Sequence, residues 1–157
     1  MPERLGLVCG LGSISKIAER LAREAGYEPL SVKLGSIRTA ISLVFRLGDA
    51  PIRPAEIMRF FREREVKKIA IVGKFPKSIM FASFTGDEHG SRVANASDKR
   101  DVSIYRIVRR ELEAQGFELV PQADLLRPLL APEDGYWGPE PDDGVMSDLE
   151  RGLELAR

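Results

Sequence analysis

Gly10-Leu11-Gly12 and Gly73-Lys74-Phe75-Pro76-Lys77 are the stretches whose residue types and spacing suit phosphate chemistry. Each follows a short apolar run, Leu5 to Cys9 and Lys68 to Val72, that reads as a buried strand entering a turn. Glycines at a strand end let backbone N–H groups approach an anion, and a helix that follows offers its positive end to phosphate. Ligands of open α/β sheets sit beyond the carboxyl ends of the strands. Gly10, Leu11, Gly12, Ser13, Gly73, Lys74 and Lys77 are therefore candidate binding residues. The plain alternatives are a glycine turn that only joins strand to helix, and loop lysines that are only solvated.

Other phosphate-binding patterns are incomplete. The dinucleotide fingerprint wants a third glycine where Ser15 stands, and an acid near the end of the second strand, where Lys33 stands. No Gly-Lys-Ser/Thr follows four spacer residues, so there is no Walker A loop. Asp101 opens a helical pattern after Asp98-Lys99-Arg100; capping that helix is its simplest role, and holding a metal or orienting a basic residue is the functional one. His89, the only histidine, falls in a stretch that reads as a loop and has no second histidine for metal or triad chemistry. Cys9 reads as a small core residue, and Ser13 and Ser15 lack a histidine at any nucleophile spacing.

The elements that position these residues alternate. Ile14, Ile17, Ala18, Leu21, Ala22 and Ala25 share one helical face, with Ser13 or Ser15 as its cap and Gly26 as its stop. Leu30, Val32 and Leu34 alternate as a strand, which completes a βαβ opening. A less regular stretch covers Ile37 to Leu47, and Pro54 then opens a helix striped by Ile57, Met58 and Phe61. After the strand at 68–72, a helix over Asp101 to Gln115 carries Ile104, Val108 and Leu112, and Phe117 to Val120 forms a last strand. This order predicts an α/β, Rossmann-like, mostly parallel sheet with helices on both faces. Pro121, Pro128, Pro132, Pro139 and Pro141 predict short extended pieces, with Tyr136 and Trp137 among them. Ser147-Asp148-Leu149-Glu150 then starts a final helix as a capping box. The expected domains are 1–132 and a linker with helix over 133–157.

Composition excludes several function classes. At 157 residues the chain suits one domain, and 43% hydrophobic residues suffice for a core without disulfides. Twenty-four basic residues balance twenty-four acidic ones, so no nucleic-acid partner is expected. One cysteine excludes an internal disulfide and a cysteine zinc cage. No apolar run approaches the ~18–20 residues needed to cross a bilayer. A cytoplasmic location, with at most peripheral contact to the inner membrane, is the expectation.

Several of these stretches together resemble one family, the LpxI-type UDP-2,3-diacylglucosamine pyrophosphatases. Leu5-Gly6-Leu7-Val8-Cys9-Gly10-Leu11-Gly12 looks like the family's opening strand and glycine turn, and Ile71-Val72-Gly73-Lys74-Phe75-Pro76-Lys77 like its strand ending in Gly-Lys. Asp101 and Glu111-Leu112-Glu113-Ala114-Gln115-Gly116-Phe117-Glu118 match a third stretch. Asp124-Leu125-Leu126, Leu129 to Gly135 and Asp148 to Ala156 resemble its linker and interdomain helix. The chain departs at Ile14-Ser15, where the family usually has Leu-Pro, and at Asp101-Val102, where two aspartates are common. The resemblance implies hydrolysis of UDP-2,3-diacylglucosamine to UMP and 2,3-diacylglucosamine 1-phosphate with a divalent metal, Mg2+ or Mn2+, by two domains of which the second carries the key aspartate. Nothing in this chain corresponds to that second domain, so a substrate-facing domain that is inactive alone is expected, with no metal of its own. Asp101 joins the substrate-binding candidates on this basis. Expected partners are a UDP-linked glycolipid, the catalytic domain, and a second copy through the exposed stripe of the last helix. A stand-alone nucleotide- or phosphate-binding regulatory module and a nicotinamide-dependent oxidoreductase are the rival readings, the latter disfavoured by Ser15 and Lys33.

Overall fold

A computed structural model describes residues 2–34, 44–45, 54–75, 87–131 and 138–156. The chain divides into two compact units, Met1–Arg127 and Pro128–Arg157. Strands β1 (Glu3–Cys9), β2 (Tyr27–Leu34), β3 (Val44–Phe45), β4 (Lys68–Val72) and β5 (Glu118–Leu119) form one sheet in the order β3-β2-β1-β4-β5. Every pairing is parallel, with Cys9 level with Lys33 on one side and with Val72 on the other. Parallel neighbours need crossovers, and a helix follows β1 in α1 (Ile14–Glu24), precedes β4 in α2 (Pro54–Arg62) and precedes β5 in α4 (Asp101–Ala114).

The pleat sorts each strand between two cores. Leu5, Leu7 and Cys9 of β1, with Ala70 and Val72 of β4, pack against Ala18, Leu21 and Ala22 of α1 and Leu125 of the short helix α5 (Gln122–Leu125). Val8, Val32 and Ile69 face the other way, onto Ile57, Met58 and Phe61 of α2 and Leu112 of α4. Helices thus cover both faces, as the alternation of elements predicts.

Several local expectations are corrected. Ser13 occupies the N-cap position of α1 but makes no side-chain cap, and the Ser15 hydroxyl turns back to donate to the Gly12 carbonyl at 3.3 Å. Asp101 is not the cap of α4: Arg100 holds that position, and Asp98 accepts from the Arg100 N–H at 2.9 Å and from the Ser103 hydroxyl at 2.6 Å. The residues after Pro121 form α5 and a 3-10 turn over Arg127–Leu129 rather than extended pieces, because a proline just ahead of a helix forfeits no needed N–H. In the second unit, α6 (Asp143–Leu155) starts ahead of the capping box, since Asp142 already accepts from the Val145 N–H at 2.9 Å. Leu149 and Leu153 of its stripe are exposed. Tyr136 and Trp137 lie outside the described residues.

His89 lies not in a loop but on a short helix, α3 (Glu88–Ala94), capped by Asp87, which accepts from the Gly90 N–H at 3.0 Å and from the Ala55 N–H of α2 at 2.6 Å. His89 Nδ1 donates to Glu111 of α4 at 2.7 Å, and Arg92 adds bonds of 3.0 and 3.1 Å to the same carboxylate. These donors, His89 first, hold the Glu111 carboxyl below its usual range. A depressed folded-state value means stability present above the unfolded value of about 4.3 and lost as pH falls through the folded one. Glu111→Gln is accordingly expected to be less stable than the parent at pH 7, with the gap closing below about pH 4 in chemical denaturation. A gap that ignores pH would show that Glu111 acts through packing alone.

Candidate functional site

Strand order locates the crevice. From β1 the chain proceeds through α1 to β2 and β3 on one side, and returns through α2 to β4 and β5 on the other. The carboxyl ends of β1 and β4 therefore flank the topological switch point, where open α/β sheets bind ligands. The loops leaving these two ends are Gly10–Ser13 and Gly73–Lys74, so the structure brings six of the eight sequence-derived candidates to one place.

Backbone bonds zip the two loops together. Gly10 N–H donates to the Val72 carbonyl at 2.8 Å, Leu11 N–H to the Lys74 carbonyl at 2.8 Å, and Lys74 N–H returns to the Leu11 carbonyl at 3.0 Å. A Cβ on Gly10 would lie 2.5 Å from the Lys74 carbonyl oxygen. Gly73 has φ +96, and a Cβ there would sit 3.1 Å from the Leu11 oxygen. The two glycines thus have a steric reason for being glycine that requires no ligand.

The zip also corrects the expected source of anion contacts. The N–H groups of Gly10, Leu11 and Lys74 are engaged with backbone carbonyls and are not offered to an anion. Among the described residues, no hydrogen bond claims the N–H groups of Gly12 or Ser13, and α1 begins there without a side-chain cap. The Gly12 and Ser13 amides are donors of the kind that attract phosphate, whereas the Lys16 N–H of the first turn donates to the Ser13 carbonyl at 3.1 Å. Lys74 is exposed beside them.

The remaining candidates stand elsewhere. Lys77 lies outside the described residues. Asp101 is the first residue of α4, which packs on the opposite face from α1, and the bonds that join the two loops do not include it. Cys9 is fully buried, and burial first, then the Glu19 charge, pushes its thiol up to about 11, so it holds its proton at neutral pH. Among the described residues, no group of three or more His, Cys, Asp or Glu side chains is placed to hold a metal. No helix among them is long and apolar enough to cross a membrane.

Fold and crevice together define a Rossmann-like α/β domain whose open edge carries glycine loops, a free helix start and a lysine. The chain matches the LpxI N-terminal domain over residues 4–129, from β1 into the 3-10 turn after α5. It belongs to the LpxI family, of lipid A biosynthesis. Comparison with curated proteins gave no match.

The zip makes Gly10 a sensitive position. Gly10→Ala is expected to lower unfolding stability by about 1–3 kcal/mol, since the obstructing atom is backbone and cannot rotate away. An unchanged denaturation midpoint would show that the two loops part without loss.

Proposed function

We propose that this chain is the substrate-facing domain of a UDP-2,3-diacylglucosamine pyrophosphatase. The observation that carries the reading is the pairing of the Gly10–Ser13 and Gly73–Lys74 loops at the switch point, beside the uncapped start of α1. Membership of the LpxI family supports the substrate class.

In the reaction, water oxygen attacks one phosphorus and the bridging P–O bond breaks, leaving UMP and 2,3-diacylglucosamine 1-phosphate. The difficult step is stabilising charge on the phosphoryl oxygens as that bond breaks. A divalent metal supplies charge neutralisation of this kind, and the described residues include no cluster to hold one. This domain's share is binding and orientation. The N–H groups of Gly12 and Ser13 at the start of α1 receive one phosphoryl group, and Lys74 adds a positive charge on a flexible stem at the rim. No described side chain of the crevice is an activated base or nucleophile. On this reading the domain binds substrate and does not hydrolyse it by itself.

Calorimetric titration with UDP-2,3-diacylglucosamine and magnesium tests both statements. Saturable binding, weakened about tenfold by Lys74→Ala, is expected for loss of a charge-assisted phosphate contact. Identical affinity in the variant would remove Lys74 from the site, and no binding by the parent would overturn the substrate-facing reading. Release of UMP by the pure chain would overturn the claim that it is inactive alone.

A further inference from the structure

Lys33 stands where a nicotinamide-binding domain carries its ribose-holding acid, and the structure gives it a definite position. It is level with Cys9 across the β1/β2 pairing. In-register neighbours of a parallel sheet project to the same face, and Cys9 lies in the α1-side core. Ser31, two residues earlier, confirms that side by donating its hydroxyl to Glu19 of α1 at 2.6 Å.

That hydrogen bond also sets the height of Lys33 along the helix. A helix that joins two parallel neighbours runs antiparallel to them. Four residues back from Glu19 to Ser15 is about 6 Å along α1. Two residues on from Ser31 to Lys33 is about 6.6 Å along β2. Lys33 therefore stands level with the first turn of α1, at the same sheet edge as the crevice. It is exposed, and no ion pair engages it among the described residues. The Glu19 carboxylate of α1 accepts from the Ser31 hydroxyl.

Lys33 and Lys74 then come from chain segments on opposite sides of β1. Two strand spacings separate them laterally by about 10 Å, with Lys74 two residues beyond Val72, which is level with Lys33 through Cys9; two flexible four-carbon stems can span such a gap from both sides. A single phosphate needs only one of them. Two linked phosphates lying over Gly12 and Ser13 engage both.

We propose that Lys33 is a specificity-determining residue of this crevice, which with Lys74 straddles a nucleoside diphosphate and selects it over the monophosphate. The proposal rests on the substrate-facing reading above and adds a residue to its site.

Calorimetry with UDP and with UMP tests it on the parent chain, Lys33→Gln, Lys33→Arg and Lys74→Ala. Lys33→Gln is expected to weaken UDP about tenfold and UMP much less, so that the diphosphate preference falls. Lys33→Arg is expected to retain most of that preference, and thermal unfolding to stay unchanged because the side chain is exposed. An unaltered UDP-to-UMP ratio in Lys33→Gln would overturn the assignment, as would failure of the parent to bind UDP. Either result leaves the substrate-facing reading to be judged by the glycolipid titration, so the two failures are separable.

Discussion

Two reciprocal hydrogen bonds between Leu11 and Lys74 carry the β1/β4 contact past the last paired strand residues, Cys9 and Val72. They fix where each chain leaves the sheet, and so where the first residues of α1 and the side chain of Lys74 stand. The fit is close enough that the Lys74 carbonyl occupies the space a Gly10 side chain would need. Packing at that distance leaves little room for the loops to adapt one at a time. A change in either would be felt by the other, and the crevice behaves as one object with two covalent sources.

The cores transmit this order to the helices. Cys9 and Val72, the last described strand residues before the zip, are fully buried against α1 and its neighbours. Leaving water contributes roughly 1.5–3 kcal/mol for a side chain of valine size, more than a surface ion pair contributes. The helix that offers its amides at the edge is therefore held by apolar contact along its length, and the Ser31–Glu19 bond ties it to β2 as well.

Much of this was legible in the sequence. The runs Leu5 to Cys9 and Lys68 to Val72 are apolar and bounded by glycine, and their burial follows from that. The stripe of Ile57, Met58 and Phe61 gives α2 directly. The miss at α3 arises because its structure is fixed by contacts between distant residues rather than by local period. Helix α3 has seven residues and no repeating apolar face, so its sequence resembles a loop; Glu111, 22 positions from His89, and the α2 start hold it in place. The only local signal was Asp87 three residues before Gly90. The role of Asp98 was hidden behind Asp101 for a local reason, since two acids three residues apart are equally plausible at a helix start. At the candidate site, glycine spacing marked the two loops that the structure brings together. It could not reveal that Gly10 and Leu11 spend their amides on Val72 and Lys74, because strand order is not written in either segment.

The distribution of carboxylates sharpens what the crevice can receive. Helix starts attract negative charge wherever it comes from. At the start of α2 and again at the start of α3, that charge is the chain's own Asp87. At the start of α4 it is Asp98, whose own carboxyl is held well below the usual range by Arg100 and Ser103. Helix α1 begins differently: its first turn contains no acidic residue. An internal carboxylate there would compete with any phosphate for the same amides. Among the described α-helices, α1 alone has no acidic residue in its first turn, so an incoming anion meets the least internal competition there. Net charge over the chain is zero, so this preference is local. It arises from where the acids are spent, and an excess of basic residues plays no part in it.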